Sequence, residues 1–219
     1  MLRIKFATAF VFLLLASSGA SANFIDFRTS AFSTSDYKTS FQYTDADGTK
    51  LNIVPGPAGT ASLYWDSTDG FGVRGSAGYE TDEIDSAESL SVNFSKNVYV
   101  NSFLATDLFN ESGYLEIGYY SLNGGSAVKF MADASQVPTT TNGVKTVAVN
   151  NYANSITFTA PGKLWSGFQL QNHEFSVAGI TIGSGSSVPE LDPGPASSAM
   201  ALLIAAGFAL HGRRRRTAA

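Results

Sequence analysis

Among 219 residues there is no cysteine, and there are only two histidines. The first absence excludes a disulfide framework, thiol catalysis and thiolate metal sites, so the fold has to stand on its core alone. Of the histidines, His211 belongs to the C-terminal tail, which leaves His173 alone in the body of the chain. A histidine-rich zinc site is thereby ruled out, and no Gly-x-Ser-x-Gly nucleophile elbow is present. Asn172-His173 has the composition of a turn, which predicts a surface position for His173. Positive charge is also scarce where it would matter. Arg3, Lys5 and Arg213 to Arg216 take six of the 14 basic residues, whereas Glu190 and Asp192 take two of the 18 acidic ones. Residues 23–187 therefore keep 8 basic and 16 acidic residues, a net charge of −8. Such a surface repels nucleic acid and anionic lipid, and a nucleic-acid partner is set aside.

No window of 11 or more residues in the body holds a helical period. What is present is strand after strand: short runs of Val, Ile, Phe and Tyr punctuated by Gly, Ser, Thr, Asn and Asp. The pattern predicts strands at 24–28, 39–43, 50–54, 61–66, 89–94, 98–105, 113–121, 127–131, 145–149, 155–159, 165–171 and 174–182. Leu90, Val92 and Phe94 alternate with Ser89, Ser91 and Asn93, so one face is expected buried and the other wet. Asp47-Gly48 predicts a type I′ hairpin, and Asn123-Gly124 and Asn142-Gly143 are further turn signals. About a dozen such strands predict an all-β fold, an antiparallel β-sandwich of the jelly-roll kind.

Candidate chemistry is confined to two features. Glu80, Asp82, Glu83, Asp85 and Glu88 place five carboxylates in nine residues, with no lysine or arginine among them. That density repels itself unless solvated or neutralised, and Ca²⁺, which takes six to eight oxygens from irregular loops, is the cation it would suit. A solvated acidic loop leading into the strand at 89–94 is the competing expectation. Aromatic residues are plentiful, and the flat faces of Trp65, Tyr119, Tyr120 and Trp165 are candidates for stacking on sugar rings. Adjacent Tyr119 and Tyr120 must point to opposite faces of a strand. Aromatic residues of a sandwich more commonly serve its core. Two carboxylates could form a glycosidase pair, but no spacing singles one out. The chain is expected not to be an enzyme.

The two ends read as address labels. Arg3 and Lys5, then the apolar run Phe6 to Ala16, then Ala20-Ser21-Ala22, form a signal peptide over residues 1–22, with cleavage expected between Ala22 and Asn23. A β-sandwich domain over 23–182 follows, then a Gly/Ser/Pro linker over 183–195. An uncharged segment over 196–212 is about 25 Å long as a helix, short for a bilayer core of roughly 30 Å. It is read as a single transmembrane helix, with the basic end 213–219 held in the cytoplasm.

Val188-Pro189-Glu190-Leu191, the uncharged segment and the row Arg213, Arg214, Arg215 and Arg216 together resemble the PEP-CTERM sorting signal. Leu191 stands where that motif has proline, with Pro193 two places later. The resemblance implies a Gram-negative bacterium that makes exopolysaccharide and an exosortase-type membrane enzyme as partner. It implies a protein anchored in the inner membrane by its tail before sorting, then released to the outer surface. Asp69-Gly70-Phe71-Gly72-Val73, with Asp82-Glu83-Ile84-Asp85 and Glu88-Ser89-Leu90, also looks like a passage of exported PEP-CTERM domains. The function expected is a non-catalytic structural or adhesive role in an exopolysaccharide matrix. A lectin-like carbohydrate-binding module is the alternative, and a secreted glycoside hydrolase stands behind it.

Overall fold

The computed structural model describes residues 22–75, 82–86, 88–111, 113–138, 141–161, 164–166 and 169–183. The signal peptide up to Ser21, the linker beyond Gly183, the sorting motif, the apolar segment and the arginine row lie outside the described residues. Apart from a short 3-10 turn at Ser30–Phe32, every regular element described is a strand. In chain order these are β1 (Ala22–Asp26), β2 (Phe41–Thr44), β3 (Lys50–Gly56), β4 (Ser62–Asp66), β5 (Gly70–Arg74), β6 (Ser89–Thr106) and β7 (Asn110–Glu111). The second half holds β8 (Tyr114–Leu115), β9 (Ile117–Leu122), β10 (Val128–Met131), β11 (Lys145–Thr159), β12 (Leu164–Ser166), β13 (Gln169–Gln171) and β14 (Ser176–Gly183).

Ten of these strands form one curled antiparallel sheet with the form of a sandwich. Its axis is β6, 18 residues long. The first half of β6 pairs with β3 and the second half with β14, while β11 follows it on the other side. The sequence pattern splits β6 at Ser95-Lys96-Asn97, three exposed polar residues. The strand nevertheless runs through them, because they sit where it passes from one neighbour to the next. Leu90, Val92 and Phe94 are buried as the alternation predicts. The ladder to β14 slips at Asn101, so the inward face passes from Val100 to Phe103, a β-bulge re-aiming the side chains. β11 is likewise one strand rather than two, with a bulge at Asn150, whose φ is 51.

Two aromatic clusters fill the interior. Phe27, Phe32 and Phe71 meet edge to face at 5.2 to 5.7 Å. Phe103 touches Tyr120, Phe130 and Phe158 at 4.9 to 5.4 Å. Each fully buried ring contributes about 1.5–3 kcal/mol through area alone.

The hairpin between β2 and β3 is present, but its turn is not type I′. Gly48 N–H donates to the Asp45 carbonyl (2.9 Å), and Gly48 alone takes a positive φ, +81. The Asp47 carboxylate accepts from Thr49 N–H (2.8 Å), favouring the longer loop. Asn123-Gly124 is the turn with both φ values positive, 53 and 69, as type I′ demands.

Candidate functional site

At one end of the sandwich, five chain segments bring carboxyl groups together. β4 ends at Asp66, whose Oδ1 accepts from Thr68 N–H (2.6 Å) and Asp69 N–H (2.8 Å), closing a tight turn into β5. Thr106 Oγ1 donates to the Asp69 carbonyl (2.8 Å), tying that turn to the end of β6. Asp107 follows directly, in a left-handed conformation with φ 55, and its carboxyl hydrogen-bonds to that of Asp69.

The segment at 82–85 is pressed flat against β5. A Cβ on Gly72 would stand 1.7 Å from the Asp82 carbonyl oxygen, so only glycine permits the approach. Val73 N–H donates to the Glu83 carbonyl (3.3 Å) and Ile84 N–H to the Phe175 carbonyl (2.8 Å). Asp82 and Glu83 are thereby stapled between β5 and the entry to β14, where Glu174 lies. Glu116 closes the group from the entry to β9. Its Oε2 accepts from Phe109 N–H (2.6 Å), and its own N–H donates to the Phe109 carbonyl (2.9 Å).

The result is a basin of Asp66, Asp69, Asp82, Glu83, Asp107, Glu116 and Glu174. Burial pushes Glu83 up to about 10, and the charges of Glu174, Asp107, Glu116 and Asp82 add to it. Burial likewise lifts Glu116 to about 9; the Phe109 amide opposes this, and Glu174, Glu111 and Asp107 reinforce it. Asp107 rises to about 7 through burial and then Asp69, Asp66 and Asp82. Asp69 is raised by burial and then the charges of Asp66 and Asp82, with the Asp107 hydrogen bond and Arg28 pulling the other way. Near pH 7, then, Glu83 and Glu116 keep their protons. Glu83 Oε2 is buried without a hydrogen-bond partner.

His173 is fully buried, contrary to its expected surface position, and neither ring nitrogen has a hydrogen bond. No hairpin turn forms there: residues 172–174 are an irregular link from β13 to β14 that lies beneath β8, where the imidazole meets the Tyr114 ring edge to face at 5.6 Å. Burial and then the charge of Lys129 lower its pKa, so it is neutral near pH 7. The Tyr114 hydroxyl accepts from Asn172 N–H (3.2 Å), and the Asn172 amide donates to Glu174 Oε2.

A second feature adjoins the basin. The Arg74 guanidinium lies between two rings, 4.3 Å from the centroid of Tyr37 and 4.6 Å from that of Tyr64. Tyr64 in turn donates its hydroxyl to Asp66 Oδ2 (3.2 Å). Burial, and then the Asp66 charge, drives that phenol up to about 12.

The expected calcium ligands do not act as one set. Glu80 lies outside the described residues, and Asp82 and Glu83 join the basin. Asp85 and Glu88 turn inward as a separate buried couple. Asp85 N–H donates to Glu88 Oε2 (3.3 Å), and Glu88 is raised to about 8, by burial first, with the Asp85 charge adding. Among the described residues no three His, Asp or Glu side chains stand close enough together to hold a metal ion. The four described carboxylates of the run are divided between the basin and the Asp85–Glu88 couple instead of facing one point, and this arrangement does not fit a preformed Ca²⁺ site.

Of the expected sugar-stacking residues, Trp65 packs against the core and donates Nε1–H to the Phe27 carbonyl (2.6 Å). Tyr120 is buried against Phe103, while its neighbour Tyr119 is half-buried on the opposite face. Trp165 falls on β12, and its side chain lies outside the described residues. Ala22 and Asn23 begin β1, and the Asn23 amide donates to Asp45 Oδ2 (2.5 Å). Sequence reasoning missed Asp66, Asp69, Asp107, Glu116 and Glu174 as a group. Their one shared signal is position, each lying at or within a few residues of a strand end.

No family model and no curated protein matches the chain. Solved structures similar to part of it include the exo-β-1,3-galactanase of Phanerochaete chrysosporium with galactose. That comparison has 18% identity and a TM-score of 0.35, and covers 65% of this chain and 29% of the galactanase. The family 35 carbohydrate binding module of Clostridium thermocellum is another, at 20% identity and a TM-score of 0.31, covering 57% of this chain and 91% of the module. This chain thus spans under a third of the galactanase's length.

Proposed function

We propose that this chain is an exported β-sandwich of jelly-roll type, non-catalytic, that gives an exopolysaccharide matrix structure or adhesion by holding carbohydrate directly. Its PEP-CTERM-type tail, handled by an exosortase-type membrane enzyme, would carry it to the cell surface. The observation behind the carbohydrate reading is the carboxyl basin. Glu83 and Glu116 keep their protons and hold the group together, while the half-buried Asp66 and Asp82 at its edge present oxygens that accept hydrogen bonds. A polyhydroxylated ligand finds acceptors for its hydroxyl protons there, whereas a phosphate or sulfate meets repulsion. Binding of the full-length protein to an array of neutral and acidic glycans tests this reading. Retention of neutral glycans is expected, and retention of none would sink it. Intact mass of the protein from its native host tests the tail. A shortened carboxy terminus is expected, and a full-length soluble cytosolic species would refute the sorting.

One observation favours the hydrolase reading: a carboxyl raised as far as that of Glu83, among other carboxyls, has the makings of a general acid. Release of reducing sugar by the wild type, abolished by Glu83→Gln, would establish it in place of the binding role.

A further inference from the structure

Tyr37 is the most exposed large hydrophobic residue among the described residues, with 68% of its surface in solvent. Its backbone is left-handed, with φ 63, a conformation that costs any residue bearing a Cβ. Two hydrogen bonds to β4 hold it there: Tyr37 N–H donates to the Leu63 carbonyl (2.9 Å), and Leu63 N–H donates to the Lys38 carbonyl (2.7 Å). Strained non-glycine residues persist where surrounding structure over-determines them, and they gather at functional sites. Here the strain displays an aromatic ring outward.

The ring is also braced. Arg74 covers one face, is itself stacked on Tyr64, and has its Nε 3.6 Å from Asp36 Oδ1. Most of the Tyr37 surface nevertheless remains in solvent. A side chain held in one orientation loses little freedom when a ligand settles on it. The ladder Tyr37–Arg74–Tyr64 ends on Asp66, the outer carboxylate of the basin.

We propose that Tyr37, backed by Arg74 and Tyr64, is a stacking platform for one pyranose ring of an uncharged polysaccharide, set at the rim of the carboxyl basin. This rests on the carbohydrate reading above and adds to it a residue and a ligand class. The axial C–H face of a pyranose matches the electron-rich face of a phenol, as in other apolar contacts with aromatic faces. Asp36 and Asp66 flank the ladder, and residues 23–187 carry a net charge of −8, so a uronate or sulfated chain is disfavoured. A neutral chain lying on Tyr37 reaches Asp66 next, where its hydroxyls can donate.

The test uses full-length protein on an array of neutral hexose oligomers and uronate-containing oligomers, followed by titration with the best neutral oligomer. Tyr37→Asn suits the left-handed backbone and removes the ring. It is expected to weaken binding about tenfold, the scale of a lost aromatic face and its buried area, with the melting temperature unchanged or higher. Tyr37→Gly frees the same backbone and serves as the second variant should Y37N fold poorly. Tyr37→Phe keeps the ring and is expected to stay within about threefold of wild type, losing at most one exposed hydroxyl contact. Wild-type affinity in both Y37N and Y37G would overturn the platform and leave the carbohydrate reading standing. Loss in Y37F equal to that in Y37N would place the contact at the hydroxyl and overturn stacking. Preference for the uronate oligomers would overturn the uncharged ligand. No glycan retained by the wild type would remove the carbohydrate reading itself.

Discussion

Replacing Glu83 by glutamine exchanges a carboxyl for an amide of nearly the same shape and removes one titrating group from the basin. In the fold Glu83 keeps its proton to about 10, against an ordinary value of 4.5. Between those two values the unfolded chain has released a proton that the folded chain retains. The folded state then binds more protons, so stability is full below the unfolded value and is lost as pH rises toward the folded one. From below pH 4 up to pH 7 the loss for this one group is about 3 kcal/mol, at about 1.4 kcal/mol per pH unit. Glutamine carries no such loss. The E83Q protein should therefore melt with the wild type near pH 4 and above it at pH 7, by roughly 6–12 °C for a domain of this size. Thermal melts of both proteins from pH 4 to 8 read this directly. Parallel curves, or an E83Q protein that melts lower at pH 7, would refute the reasoning, because Glu83 would then be ionised and stabilised in the fold.

Phe103→Ala removes the ring at the centre of four aromatic side chains and should cost about 3–5 kcal/mol in denaturant unfolding; a loss under about 1 kcal/mol would contradict the packing described. Gly72→Ala drives a methyl into the Asp82 backbone, so a loss of about 1–3 kcal/mol or more is expected. The loss should come with a weaker pH dependence of stability, since Glu83 would move off β5, and an unchanged pH profile would count against that link. Millimolar Ca²⁺ should leave the melting temperature near pH 6 within about 1 °C, since proton-bearing carboxyls not gathered around a common point make a poor oxygen cage. A rise reversed by chelator would restore the calcium reading.

Much of the fold was legible from side-chain alternation. Leu90, Val92 and Phe94 declared their buried face because the two sides of a strand face different solvents. What misled was local polarity. Ser95-Lys96-Asn97 and Asn150-Asn151 look like loops, yet they are bends within β6 and β11. β5 went unseen because Gly70 and Gly72 dilute its strand signal, although it is the closeness of the Val177 and Asp82 backbones that excludes any Cβ at both places. Trp65 and Tyr120 carry the chemistry of a sugar platform but face the core. Tyr37 was passed over because nothing in its neighbours announces a positive φ.

Residue order alone settled the strand content, the freedom from disulfides and the acidic sign of the body, since each depends on composition or on a period of two. Which acids meet was decided by tertiary structure. The five carboxylates crowded between Glu80 and Glu88 include Asp82 and Glu83 in the basin and Asp85 and Glu88 in a separate couple, while Asp66 and Glu174, far apart in the chain, share the basin. Pairing β5 and β6 with β14 brings strand ends together regardless of their distance in sequence, and burial at that junction then sets which carboxyls keep a proton.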